Sequence, residues 1–242
     1  MKIQHTKLRN PASALLDALF PRRCPVCGTI PEEGRAICPS CLSQLSFVSS
    51  PVCKKCGKEM ETETMEYCLD CTRHKRSFAW GVSLLNYNEA AAHSMAAIKY
   101  KNKREYLDFY AEETMKRCKE KLLFMEADVL VPVPVHPARR RQRGFNQAEL
   151  LAQALSVELK LPVCSDVLRR TKKTEPQKDL TPSERLKNLE EAFEARAICG
   201  RTVLLVDDIY TTGSTIEACT RALLKAGAKK VCFFTLCIGQ GQ

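Results

Sequence analysis

From residue 78 to the C terminus, short unbroken apolar runs alternate with stretches in which apolar residues recur every three or four positions. The first kind of pattern predicts strands buried on both faces, the second amphipathic helices. "AWGVSLLNY" (79–87) reads as a strand, and residues 89–101 and 105–120 as helices. "DVLVPVPV" (128–135) is a continuous apolar strand stopped by proline. In "NQAELLAQALSVELK" (146–160), Leu150, Leu151, Ala154, Leu155 and Leu159 fall at helical spacing, with Asn146 placed to cap the N terminus. "TVLLVDD" (202–208) is a strand, and so is "KVCFFTLCI" (230–238). Between them "STIEACTRALLKAG" carries Ile216, Cys219, Leu223 and Ala226 on one helical face and ends on Gly227. Strands of this kind alternating with helices predict an α/β fold with a parallel sheet covered on both sides.

Upstream of residue 78 that alternation is absent. The basic stretch "RHKRSF" (73–78) joins it to a cysteine-rich segment, so the chain divides into residues 1–77 and 78–242. A length of 242 residues suits one ordinary α/β domain with a small appendage. At 45% hydrophobic and 27% charged residues the composition is that of a globular protein. No apolar run approaches the roughly 18–20 residues that span a bilayer. "ASALLDALF" (12–20) is short, carries Asp17 and runs into Pro21, which fits a docking helix better than a secretion signal. Membrane insertion is therefore not expected, and a cytoplasmic location is. The formal net charge of +10 favours anionic partners, either phosphorylated small molecules or nucleic acid, and is also compatible with a merely soluble basic surface.

Fourteen cysteines in a chain read as cytoplasmic need a role other than disulfides. Eight form four Cys-x-x-Cys knuckles: Cys24/Cys27, Cys38/Cys41, Cys53/Cys56 and Cys68/Cys71. A knuckle aims two thiolates at one metal, and a second knuckle completes a tetrahedral site. Intervals of ten, eleven and eleven residues separate the knuckles, and Gly28 and Gly57 each follow a second cysteine directly, where positive φ is often required. Two structural Zn2+ ions are expected. Sequential pairing, Cys24/Cys27/Cys38/Cys41 and Cys53/Cys56/Cys68/Cys71, closes the shorter loops, and a cross-braced pairing stays open. The remaining six, Cys118, Cys164, Cys199, Cys219, Cys232 and Cys237, sit in apolar patterns as small hydrophobes.

The stretch "VLLVDDIYTTGST" (203–215) ends a buried strand on two carboxylates and follows them with small hydrogen-bonding residues. Ligands of open parallel sheets bind beyond the carboxyl ends of the strands. There, backbone N–H groups around Gly213 and the hydroxyls of Thr211, Thr212, Ser214 and Thr215 suit a phosphate. Asp207 and Asp208 would repel that phosphate but can accept hydrogen bonds from ligand hydroxyls. A phosphate together with a vicinal diol describes a ribose phosphate. Neither G-x-x-x-x-G-K-[ST] nor G-x-G-x-x-G occurs.

The strand, two acids and Thr-Thr-Gly-Ser-Thr resemble the motif with which type I phosphoribosyltransferases bind 5-phosphoribosyl-1-pyrophosphate (PRPP). The resemblance implies a pyrophosphate loop after the first core strand, here "VPVPVHPARRRQRGFNQ", with His136, Arg139, Arg140, Arg141 and Arg143. It also implies a mobile covering loop within 169–188, carrying Lys172, Lys173, Thr174, Gln177 and Arg185. Lys99, in "IKYKN", resembles a family lysine and is equally readable as a solvated helix residue. Knuckles followed by "RGFNQ", "T-x-x-Q-x-x-L…R-x-x-N" and "VDDIYTTGST" make the whole chain similar to the ComF family, double zinc ribbons joined to a phosphoribosyltransferase domain and linked to competence and DNA uptake. That similarity implies PRPP with Mg2+ as ligand, Asp207 and Asp208 as catalytic groups, and transfer or hydrolysis of the phosphoribosyl group to an acceptor the motifs do not name. The alternative it leaves open is a non-catalytic nucleotide sensor that binds single-stranded DNA or a competence helicase.

Overall fold

The computed structural model describes residues 21–32, 34–171 and 191–239. In chain order these form α1 (Pro39–Leu42), α2 (Leu69–Arg73), β1 (Gly81–Asn86), α3 (Glu89–Tyr100), α4 (Tyr106–Leu123), β2 (Val129–Pro132), α5 (Pro137–Arg143), α6 (Gln147–Leu159), β3 (Leu168–Arg170), β4 (Phe193–Ala195), β5 (Thr202–Tyr210), α7 (Ser214–Lys225) and β6 (Lys230–Ile238). The main sheet has the order β1-β6-β5-β2, and all three pairings are parallel, as the unbroken apolar runs require.

Side-chain alternation along β5 sends Leu204 and Val206 to one face and Val203 and Leu205 to the other, and all four are fully buried. The first face packs against α3, α4 and α6 through residues such as Ile98, Tyr110 and Leu151. The second packs against α7 and the β3–β4 pair through Ile216, Leu223, Leu168 and Phe193. Helix starts are set locally: Asn88 accepts from the Ala91 amide, and Asn146 accepts from the Ala148 amide. Asn146 also donates from Nδ2 to the Val133 carbonyl at 3.0 Å, tying the start of α6 to the end of β2.

The two cysteine modules straddle the edge strand β1. Cys24, Val26, Ile37, Cys41 and Leu45 join the apolar cluster on the α3/α4/α6 face, whereas Cys53, Cys56 and Cys68 join the one on the α7 face. Between the modules, Phe47 bridges Leu85 in antiparallel sense, the Val48 amide donates to the Leu84 carbonyl, and the Asn86 amide donates to the Ser46 carbonyl. The edge of β1, otherwise a row of unpaired backbone groups, is thereby covered.

Three features depart from the sequence pattern. β5 runs on through both aspartates to Tyr210 instead of ending at 208, because Ile209 and Tyr210 still pair with β6. The basic run after β2 is a seven-residue helix with His136 as its N-cap. Two short strands absent from the pattern, β3 and β4, pair antiparallel on either side of residues 172–190. The expected docking helix (12–20) and residues Lys172, Lys173, Thr174, Gln177 and Arg185 lie outside the described residues.

Gly57 marks the closest approach of the second cysteine module to the sheet. Its φ is +74°, and a Cβ there would lie 2.5 Å from the Gly81 carbonyl oxygen. Positive φ and a backbone collision act together, so Gly57→Ala is expected to lower the unfolding free energy by about 2–3 kcal/mol, measured from urea unfolding curves. A loss below about 0.5 kcal/mol would mean that the module is not pressed against β1.

Candidate functional site

The eight knuckle cysteines form two groups of four, Cys24/Cys27/Cys38/Cys41 and Cys53/Cys56/Cys68/Cys71, and within each group the sulfur atoms all lie within 4.8 Å of one another. Pairing is therefore sequential. Gly28 and Gly57 have φ of +76° and +74°, the conformation expected after the second cysteine of a knuckle. Sulfur separations of 3.8 Å between Cys27 and Cys38 and 3.6 Å between Cys56 and Cys68 are far from a disulfide length. They match the spacing of about 3.8 Å set by a tetrahedron with four Zn–S bonds of about 2.3 Å. With four thiolates in each group, a zinc ion has a complete set of protein ligands and no position left for substrate, so both centres are structural.

The second site lies at the carboxyl ends of β2 and β5, which are neighbours in the sheet. Asp207 and Asp208 are both buried. Oδ1 of Asp207 accepts from the Asp208 amide at 2.8 Å. Burial, with the adjacent Asp208 charge adding to it, pushes the Asp207 carboxyl well above the ordinary carboxylate range. Asp208 is also desolvated, which pushes its carboxyl up, but the Lys99 ammonium beside it and hydrogen bonds from Asp207, Lys99 and Gln147 together outweigh that penalty and hold it below the ordinary value. Lys99 reaches Asp208 from the last turn of α3 as a direct ion pair. The two neighbouring carboxyls are thus pushed in opposite directions, beside a single ammonium.

β5 leads through Thr211 and Thr212 to Gly213, which caps α7 with φ +74°. Gly213 has no side chain with which to cap this helix; the Ser214 amide donates to Thr212 Oγ1 at 3.5 Å, and the Thr212 and Ser214 hydroxyls, which bond each other at 2.9 Å, stand with Thr215 at its mouth. Glycine is required at 213 by the Tyr210 ring beneath it and by the positive φ. A Cβ would lie 2.2 Å from the Tyr210 hydroxyl oxygen, within the space that the Tyr210 ring already fills.

The basic residues after β2 divide. Arg139, Arg140 and Arg141 are exposed on α5, and Arg140 pairs with Glu149 at 3.0 Å. Arg143 turns inward, donating to Gln147 Oε1 at 3.2 Å with its guanidinium over the Tyr100 ring. Gln147 in turn bonds Asp208, so a relay runs from Arg143 to the acid pair. On the other side, burial lowers the Arg170 guanidinium from its ordinary value; the Arg139 charge adds to this, while Cys219 and Asp207 oppose it. Lys99, left open by sequence reasoning, is part of the site; Gln147 was legible only as a member of "RGFNQ". Arg76 carried no signal: it lies in the basic joining stretch, and only its fold contacts single it out.

These features define a class: a parallel α/β domain of the phosphoribosyltransferase kind carrying two four-cysteine zinc ribbons. The double zinc ribbon domain family matches residues 15–72, and the phosphoribosyl transferase domain family matches residues 124–242. The chain is 29% identical over 229 residues to competence protein F of Haemophilus influenzae, covering 88% of this chain and 95% of that one. It is 30% identical over 215 residues to competence protein ComFC of Bacillus subtilis, covering 85% of each. Over 111 residues it is 40% identical to the DNA utilization protein YhgH of Escherichia coli, covering 46% of this chain and 49% of that one. The chain belongs to the ComF family of competence proteins.

Protein purified under reducing conditions is expected to carry about two zinc ions per chain, read by elemental analysis, and Cys56→Ser about one. A value near zero in unchelated wild type would overturn the assignment of both centres.

Proposed function

We propose that the chain binds PRPP together with Mg2+ at the carboxyl ends of β2 and β5 and transfers or hydrolyses its phosphoribosyl group. The observation that carries this reading is the buried Asp207–Asp208 pair, its carboxyls pushed in opposite directions, directly upstream of a helix N terminus that begins on Gly213. Around Gly213, the backbone amides and the hydroxyls of Thr211, Thr212, Ser214 and Thr215 take the ribose phosphate. Asp207 and Asp208 accept hydrogen bonds from the ribose hydroxyls. They also face the positive charge that develops on the ring as pyrophosphate leaves. Lys99 limits the net negative charge of the ligand-free site, and the Gln147–Arg143 relay orients Asp208. Arg139, Arg140 and Arg141, with His136 at the start of α5, provide cationic donors for the leaving pyrophosphate. Mg2+, with one or two carboxylates and its own waters, supplies further charge neutralisation there when bound. The loop within 169–188, of which residues 172–188 lie outside the described ones, is assigned to covering the ligand and excluding water.

A second reading draws on the exposed arginines of α5 and on the competence and DNA-utilization names of the relatives. In it the PRPP site is a sensor, and the cationic surface binds single-stranded DNA or a helicase that carries it. Affinity for single-stranded DNA would then fall steeply with salt. Incubation with PRPP, Mg2+ and candidate acceptors, followed by product analysis, separates the two: release of pyrophosphate or ribose phosphate supports catalysis, and intact PRPP supports the sensor. No helix among the described residues is long and apolar enough to cross a membrane.

The double variant Asp207→Asn, Asp208→Asn is expected to weaken PRPP binding by roughly tenfold or more, the loss of one or two charge-assisted hydrogen bonds, with titration calorimetry as the measurement. Unchanged affinity would remove the acids from the ribose site.

A pH dependence follows from the same pair. Ligand hydroxyls that donate to Asp207 favour its ionised form, whereas burial in the free protein favours the protonated one. Binding therefore releases a proton, and affinity should rise with pH until Asp207 is ionised in the free protein. PRPP titrates as well, so the diagnostic is the difference between wild type and Asp207→Asn, whose profile should be flatter. Parallel profiles would show that Asp207 does not change protonation on binding.

A further inference from the structure

We propose that Arg76 is a positioning residue that makes the phosphate-binding loop depend on the second zinc ribbon, so that ligand affinity and zinc retention at Cys53, Cys56, Cys68 and Cys71 are coupled. The proposal rests on the PRPP reading for the identity of the ligand, but not for the coupling itself.

Arg76 follows the last knuckle by five residues, and its side chain is only 7% exposed. A single guanidinium nitrogen donates to Asp70 Oδ2 at 2.6 Å and to the backbone carbonyl of Thr212 at 2.8 Å. Asp70 lies in α2, between the ligands Cys68 and Cys71. The Thr212 carbonyl and the Gly213 N–H belong to one peptide unit, which is planar and trans, so they point in opposite directions. Arg76, by holding the carbonyl, turns the Gly213 N–H away from the ribbon.

Two further contacts bind the same elements. The Ser77 amide and hydroxyl donate to the Glu217 carboxylate at 2.8 and 2.6 Å, and Glu217 sits buried in the first turn of α7. Beneath Gly213 the Tyr210 ring stacks on Phe233, with centroids 5.1 Å apart and planes 6° apart, and Phe78 packs edge-on against Phe233 at 4.9 Å. Cys53 and Cys56 belong to the same apolar cluster as Phe78, Tyr210 and Phe233. The orientation of the loop, its floor and the start of its helix thus all lean on the ribbon and the three residues that leave it.

A ribbon of this size is folded by its metal. Loss of zinc from the second centre frees α2, and with it Asp70 and the anchorage of Arg76. The linkage is reciprocal: a ligand that needs the ordered loop must raise the zinc affinity of this ribbon, and by the same equilibrium factor zinc must strengthen the ligand; a smaller population of the metal-free, open ribbon then slows thiol labelling. The first ribbon packs on the opposite face of the sheet and has no such contact among the described residues.

Pulsed thiol alkylation of the full-length, zinc-loaded protein, read cysteine by cysteine by mass spectrometry, tests the linkage with and without Mg2+ and PRPP. PRPP is expected to slow labelling of Cys53, Cys56, Cys68 and Cys71 about tenfold and to leave Cys24, Cys27, Cys38 and Cys41 unchanged. Arg76→Ala should remove that difference and weaken PRPP binding by about the same factor, with Arg76→Lys in between. A wild type that binds PRPP with no selective protection of the second quartet would overturn the coupling. Ligand-free amide hydrogen exchange decides the positioning role independently of PRPP. In Arg76→Ala that retains both zinc ions, the Glu217 amide, which donates to the Gly213 carbonyl at 2.8 Å, and the Gly239 amide, which donates to the Tyr210 carbonyl at 2.8 Å, should exchange about tenfold faster, a typical scale for such coupling; unchanged rates would overturn it. Absence of PRPP binding in wild type would instead count against the ligand reading alone, because the exchange result stands without it.

Discussion

Two carboxylates buried side by side at the end of a parallel strand are costly unless something nearby compensates them, and here that compensation comes from three separate elements. Lys99 on α3 supplies the charge, Gln147 on α6 supplies a hydrogen bond, and the Asp208 amide satisfies Asp207 locally. Burial and the neighbouring charge push the Asp207 carboxyl up, while Lys99 and hydrogen bonds hold that of Asp208 down, which is how a site with one ammonium can hold both. β5 continues to Tyr210, so both acids are clamped by pairing with β6 rather than hanging from a loop. The same geometry that makes the pair unfavourable in the ligand-free protein leaves it rigid and desolvated where a polyhydroxylated ligand would arrive.

The cysteine modules serve the sheet before they serve any partner. β1 is an edge strand, and residues 46–48 between the two ribbons close its open side. Each ribbon then covers one face of the sheet, so their buried cysteines are also core residues. Small zinc modules cannot bury enough apolar surface alone; these two share the core of the larger domain and give it cover in return. Placement of the second ribbon beside the loop that follows β5 connects metal binding to the candidate ligand site through Arg76, Ser77 and Tyr210.

The family resemblance visible in the knuckles and in "VDDIYTTGST" agrees with the domain families and with relatives aligned over most of the chain. The phosphoribosyl chemistry itself rests on the site. The support for that proposal is the Asp207–Asp208 pair, whose carboxyls are pushed in opposite directions, with a helix N terminus a few residues downstream suited to an anion.

Sequence alone determined the elements that depend on local rules. The strands, the helices α3, α4, α6 and α7, the Asn146 cap and the cysteine knuckles all follow from periodicity and short spacings, because each pattern is carried by neighbouring residues; the strand order β1-β6-β5-β2 joins segments far apart in the chain and is not written there. The knuckle pairing was nearly legible for the same reason, since sequential closure spans the shorter loops. Tertiary structure alone decided what depends on distant partners. Lys99 could be a solvated helix residue or a site residue until α3 packed beside β5; burial next to Asp208 settled it. Gly213 pointed to a close approach, but only the fold shows that Tyr210 presses on it from beneath. The basic run after β2 became a helix because His136 and Pro137 start one, and only Arg143 of its four arginines turned inward to Gln147. Arg76 looked like one more charge in a basic stretch. Its role arises from contacts with Asp70 and with a backbone carbonyl 136 residues away, and no local pattern encodes a partner at that distance.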